Sequence, residues 1–265
     1  MDSDDAFTRN ALEVMYTLAK NSDVDVVYCE KFFSVDNTVK NIHLQENLNL
    51  TYGAQHGGFV NDITQEEIDL PLLVRKFCSE HYEMPPWSKL VKRGVLVNNG
   101  ITFPSLRTYD DLIWTFKVLC HSKKILRVPT ATYIHRENPT SITSRKETAE
   151  KNITFWSEPV IDGLKILDDF MLEFEFFQEN LLYRYAVLDF FSQLLLKRSV
   201  KHTEQVPSAY MYAVLNQFNS KKFGEHNALI SYLWSLVNSQ QKTLMNAQYQ
   251  ILEMQRQINR FIING

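Results

Sequence analysis

The chain has 265 residues, 45% hydrophobic and 12% aromatic, enough to build a substantial core, so disorder is not the expectation. A formal net charge of −3 gives no bulk attraction to nucleic acid or anionic lipid. No run approaches ~20 uninterrupted apolar residues and no basic-then-apolar leader opens the sequence, so neither a membrane span nor a signal peptide is expected.

Met1-Asp2-Ser3-Asp4-Asp5 packs three carboxylates into four residues. Such a cluster repels itself unless a cation or hydrogen-bond donors neutralise it. Hard cations such as Mg²⁺ and Mn²⁺ bridge one or two carboxylates to phosphate oxygens, so Asp-x-Asp at a strand end reads as a metal–diphosphate site. A solvated, frayed stretch is the alternative. Thr8 can cap a helix carrying Leu12, Met15, Leu18 and Ala19 at three- and four-residue steps to about Asn21. Asp23 to Cys29 reads as a strand. Residues 36–65 are polar and irregular, with a short hairpin expected around Leu48 to Tyr52.

Helical spacing returns from Asp69 to His81 and is expected to end at Pro85-Pro86. Leu90 to Leu96 reads as short helix or turn, Asn98-Asn99-Gly100 as a turn, and Ile101 to Pro104 as extended. Asp110 to Cys120 is expected as a helix with an acidic first turn. Ile125 to Val128 and Ala131 to His135 read as two strands. Beyond residue 150 the pattern is helical, with Leu167, Phe170, Phe174, Phe177, Leu181, Tyr185, Leu188, Phe191 and Leu195 as one stripe. Asp168, Asp169 and Glu173 interrupt it. Leu244, Ala247, Ile251, Met254, Ile258 and Phe261 follow the a/d steps of a short coiled coil or of a helix packed on its own chain.

Cys29, Cys78 and Cys120 are odd in number and lack a Cys-x-x-Cys pair, which suits buried thiols in a reducing cytosol. The seven histidines show no metal-type pairing. No glycine-rich phosphate loop is present, which argues against a P-loop or dinucleotide fingerprint.

Four signals, in order and spacing, resemble the C-terminal two-thirds of a bacterial family 2 glycosyltransferase of GT-A fold. Met1-Asp2-Ser3-Asp4-Asp5 resembles the metal-binding Asp-x-Asp. Trp87-Ser88-Lys89 resembles the Trp-x-Lys before the acceptor side. Tyr109-Asp110-Asp111-Leu112 resembles the acidic pair, usually Glu-Asp, whose second member is the base. Tyr133-Ile134-His135-Arg136, followed by Ser141-Ile142-Thr143, resembles the closing segment of the catalytic domain. The absence of Gln-x-x-Arg-Trp argues against a processive synthase of that family.

The resemblance implies an α/β GT-A sheet over residues 1–150 and a helical appendage over 151–265. It begins at the Asp-x-Asp, so the nucleotide-binding half is expected to be missing and donor binding by the chain alone to be weak. Asp4 and Asp2 would bind Mn²⁺ or Mg²⁺ and, with Asp5, shape the donor site. Asp111, assisted by Asp110, would act as base, ionised by its helix N-terminus. Trp87, Lys89, His135 and Arg136 would contact acceptor or phosphate. The implied partners are a nucleotide-sugar, of the UDP-sugar class, and a glycan or lipid-linked acceptor. No nucleic acid is implied. The implied location is cytoplasmic, with peripheral association at the inner face of the plasma membrane and a homo-oligomer through the last helix left open.

Blander readings stand beside these. Asp110 and Asp111 fit a helix-start charge pair, Trp87 a core anchor, Lys89 a solvated charge, Arg136 a partner of Glu137, and His135 a core or surface histidine. A non-catalytic interaction protein is one alternative function. A haloacid-dehalogenase-type phosphohydrolase is another, disfavoured because Asp5 follows the Asp-x-Asp where Thr or Val is usual.

Overall fold

The computed structural model describes residues 2, 4–35, 51–53, 60–79, 82, 85–139, 141, 147–203, 206–207, 209–210, 244, 247–248, 250–251 and 254. Among them the fold is α/β, as expected. Strands β1 (Ala6–Phe7), β2 (Val26–Val35), β3 (Thr51–Gly53), β4 (Thr64–Glu67), β5 (Lys89–Val91) and β6 (Lys124–Arg136) form one mixed sheet. The helices are α1 (Ala11–Ser22), α2 (Leu70–Cys78), α3 (Arg93–Asn98), α4 (Asp110–Cys120), α5 (Ala149–Met171), α6 (Glu175–Glu179) and α7 (Leu181–Thr203).

Two long strands carry the sheet. β2 and β6 pair in parallel, from Val26 opposite Ile125 to Val35 opposite Arg136. Four short strands line their outer edges antiparallel: β4 and β1 on β6, β5 and β3 on β2. The sequence suggested two strands at 125–128 and 131–135 because Pro129 cannot donate to a ladder. One strand absorbs it instead: Cys29 faces Val128 and Lys31 faces Ala131, so Pro129-Thr130 form a bulge.

The period of two along β2 divides its side chains between two cores. Val27 and Cys29 pack with Leu126, Val128 and α1. Val26 and Tyr28 pack with Ile125 and with α2, α4, α5 and α7 on the opposite face. The helical segment therefore shares the larger core with the sheet. Arg184 Nε and Nη2 donate to the two oxygens of buried Asp168 at 2.5 and 2.8 Å, joining α7 to α5. Asp168 is thus a buried partner rather than part of a solvated acidic face.

Several local expectations shift. Asn10, not Thr8, precedes α1, and Thr8 N–H donates to Thr132 O at 3.0 Å. Met15, Leu18 and Ala19 pack in the core as expected, together with Ala11, while Leu12 is 61% exposed. α2 ends at Cys78, before the prolines, and Asp69 caps it by accepting from Leu72 N–H at 2.7 Å. Lys89 to Val91 is strand and Arg93 to Asn98 helix, so the 90–96 segment divides. The apolar stripe from Leu167 is broken into three helices, and Leu181 is 46% exposed. Cys29 is buried and Cys78 and Cys120 are partly buried, all three as free thiols. No described helix is long and apolar enough to cross a membrane. Ser3, the expected hairpin residues 48–50, Ile142-Thr143, Ile258 and Phe261 lie outside the described residues.

Candidate active site

The acidic loop is organised by β6. Asp5 is buried; it accepts from the Tyr133 hydroxyl and from Arg136 N–H, each at 2.7 Å. Its carboxylate is consumed by these bonds, which suits a structural support better than an ion ligand. Burial pushes the Tyr133 phenol far up, so it stays a donor to Asp5, while its oxygen accepts from Asp2 N–H at 3.1 Å. Asp4 points outward. Asn138 Nδ2 donates to Asp4 Oδ2 at 2.9 Å, and Arg136 Nε donates to Asp4 O at 3.0 Å. The Asn138 bond, a bond to its own backbone, and nearby His135 and Arg136 hold the Asp4 carboxyl below its ordinary range. An exposed, ionised oxygen donor beside a cationic rim fits a hard divalent cation shared with a diphosphate. No group of three or more His, Cys, Asp or Glu among the described residues forms a cage.

An aromatic cluster joins this loop to the Trp-x-Lys segment. The Trp87 indole stacks on Tyr133, and Phe32 packs edge-on to both Trp87 (5.3 Å) and His135 (6.1 Å). Trp87 sits in a 3₁₀ turn, Pro86–Ser88, that delivers Lys89 to β5 opposite Tyr28. Lys89 Nζ donates to Pro85 O at 2.9 Å and Ser88 Oγ at 3.0 Å and lies 4.9 Å from the Tyr28 ring centroid. It is built into the site, not a solvated charge.

Asp110 and Asp111 open α4 where the sequence places them. Leu112 N–H donates to Asp111 Oδ1 at 2.8 Å. Burial raises the Asp111 carboxyl above its ordinary range, against the lowering effects of that bond and of the Lys89 charge, while Asp110 adds to the rise. The expected lowering by the helix N-terminus is therefore outweighed by desolvation. A raised carboxyl is a stronger proton acceptor once ionised.

Contacts through Tyr133, Phe32 and β6 connect Asp2, Asp4, Asp5, Trp87, His135 and Arg136, and the Lys89 charge acts on Asp111. Tyr133 and Asn138 were missed as site residues. Tyr133 shares a strand face with His135, two positions on, and that period was the available signal. Asn138 offered none.

No family model and no curated protein matches the sequence. The chain is similar to solved structures of S. aureus TarS. With residues 1–349 in complex with UDP-GlcNAc it shares 16% identity at a TM-score of 0.44, covering 91% of this chain and 67% of that one. With the same segment bound to UDP the values are 15%, 0.40, 91% and 66%. With a further TarS structure they are 14%, 0.36, 88% and 39%, so the chain spans well under half of that protein.

Proposed function

We propose that this chain is a GT-A-type, metal-dependent glycosyltransferase of family 2. It would move a sugar from a nucleotide-diphospho-sugar, of the UDP-sugar class, to an acceptor hydroxyl with inversion, in glycan or surface polysaccharide synthesis. The supporting observation is that two acidic groups more than a hundred residues apart are joined through Tyr133, Trp87 and Lys89. A helix-start charge pair would not call for a largely desolvated carboxyl that feels the charge of a fixed lysine.

Asp4, seconded by Asp2, would hold Mn²⁺ or Mg²⁺, which when bound neutralises charge on the diphosphate leaving group. Asp5 holds the loop's shape through Tyr133 and Arg136. Asp111 takes the proton from the acceptor hydroxyl at its carboxylate oxygen, and Asp110 raises its basicity by repulsion. Trp87, Lys89, His135 and Arg136 line the path between the two groups and would contact acceptor or phosphate. Any association with the cytoplasmic membrane face would be peripheral.

The test uses the chain with Mn²⁺ and a panel of UDP-sugars. Asp111→Asn should abolish UDP release while calorimetric donor affinity stays near native, because a base acts mainly in the transition state. Asp4→Asn should weaken metal and donor binding together. Native turnover in Asp111→Asn would show the acidic pair to be only a helix-start charge pair.

A further inference from the structure

Resting on Asp111 as the base, we infer that Tyr109 is a positioning residue for it, clamped by the α5–α7 helix pair, which thereby belongs to the active-site scaffold. Tyr109 has φ 66° and ψ 7°, a left-handed conformation that an aromatic residue rarely adopts. It is the residue immediately before the acidic pair, and its carbonyl accepts from Ile113 N–H at 3.2 Å. Its backbone thus turns the incoming loop into the first turn of α4 and sets the direction from which Asp110 and Asp111 project. Such strain persists only where the surroundings over-determine it.

The surroundings do so here. The Tyr109 ring lies 5.9 Å from Trp156 of α5 and 5.9 Å from Phe191 of α7. The two helices are closed on α4 at Gly163, where a Cβ would meet the Phe191 ring at 2.6 Å and Ile113 at 3.0 Å. The absence of a side chain at 163 lets the ring of Phe191 stand against both α5 and Tyr109. The tyrosine ring cannot leave its place unless these helices separate. Asp111 is thereby kept in its desolvated position beside Lys89.

The test follows the Asp111 carboxyl by carbon-13 NMR of the full chain labelled at aspartate, with its signal assigned by loss in Asp111→Asn. Tyr109→Phe keeps the ring and should leave the titration within about 0.2 pH unit of native. Tyr109→Ala removes the clamp and should lower the Asp111 midpoint toward the ordinary carboxylate value, clearly beyond any change in the phenylalanine variant. Trp156→Leu loosens the clamp from the α5 side and should lower it in the same direction, and it decides the matter if Tyr109→Ala fails to fold. A native Asp111 titration in folded Tyr109→Ala, or in Trp156→Leu where the alanine variant does not fold, would overturn the inference. No donor or acceptor is present in this measurement, so it stands apart from the transferase reading, which turnover of Asp111→Asn decides.

Discussion

The indole of Trp87 lies flat on the ring of Tyr133, with centroids 4.2 Å apart and planes 10° from parallel. Through this contact the segment that carries Lys89 is fastened to the residue that fastens Asp5. A change at Tyr133 should therefore be felt in both halves of the site. Tyr133→Phe keeps the stack but removes the hydroxyl, leaving the buried Asp5 carboxylate one donor short. We expect a loss of about 1–3 kcal/mol in urea unfolding. Mn²⁺ affinity, read by calorimetry, should fall with it because the Asp4 loop loses its anchor. Trp87→Ala should keep the Asp5 bonds and instead disturb Lys89.

Asp111 should make both activity and stability depend on pH, in opposite senses. Its folded carboxyl is raised above the ordinary 3.8 by burial. In its proposed role as base it would work only when ionised, so turnover should rise with pH through that raised value, with an acid limb above the usual carboxylate range. Between 3.8 and the raised value the folded chain holds more protons than the unfolded one, so stability falls as pH rises. Asp111→Asn should consequently melt higher than native at neutral pH, and the difference should vanish in acid below 3.8. Melting curves across pH read this directly.

How much of this was legible in the sequence varies with the range of the forces involved. α4 was readable to the residue, because acidic first-turn residues and apolar spacing are local signals. β6 was not readable as one strand, because whether Pro129 breaks or bulges depends on the β2 partner. In α1 the spacing found Met15, Leu18 and Ala19, but not that the smaller Ala11, rather than the more hydrophobic Leu12, fits against the sheet. The order of the acidic and aromatic motifs was legible, but it did not mark Tyr133 or Asn138 as their partners. The states of the acidic groups were not legible: the Asp111 shift comes from desolvation that only the folded chain supplies, and the left-handed backbone of Tyr109 has no sequence mark of its own. Asp5 was expected to shape the loop, and the Tyr133 hydroxyl and Arg136 N–H are what hold its carboxylate.

The larger core holds an ionic network between β2, β6, β4 and α2. Arg127 Nε donates to Glu30, and its Nη1 donates to Glu66 Oε1 at 3.2 Å. Glu66 Oε2 also meets Lys76 Nζ at 2.8 Å and accepts from the Tyr82 hydroxyl at 3.0 Å. Glu30 Oε2 accepts from Val60 N–H at 2.7 Å. Burial raises the Glu30 carboxyl despite these partners. Arg127→Met should cost about 3–5 kcal/mol by leaving Glu30 uncompensated. Adding Glu30→Gln should recover part of it, which a double-mutant cycle in urea would measure.

The last segment offers a testable seam. Leu244, Ile251 and Met254 are helical and 59%, 51% and 55% exposed, at a and d positions of the repeat. Burying each is worth about 1.5–3 kcal/mol before entropy costs. The flanking e and g positions Gln248, Gln250, Gln255 and Gln257 are uncharged, so pairing with a second copy brings no like charges together. Sedimentation should show a concentration-dependent dimer that Leu244→Asp with Ile251→Asp shifts to monomer. A native protein that sediments as monomer at every concentration would assign this helix to its own chain.

Asp5 is bonded to Tyr133 and Arg136 across 128 and 131 positions, and Asp4 to Asn138 across 134. On the ribosome, the acidic loop therefore emerges long before any group that shapes it. Until β6 has been released and paired with β2, the loop is only a dense run of like charge. Contacts this distant in sequence form late and slowly. The proposed ion and donor binding could not guide the early nascent chain, and a translation product stopped ahead of β6 would display the acidic run without its geometry. Cellular quality control would thus meet an intermediate whose sheet edge is open and whose most recognisable motif is inert.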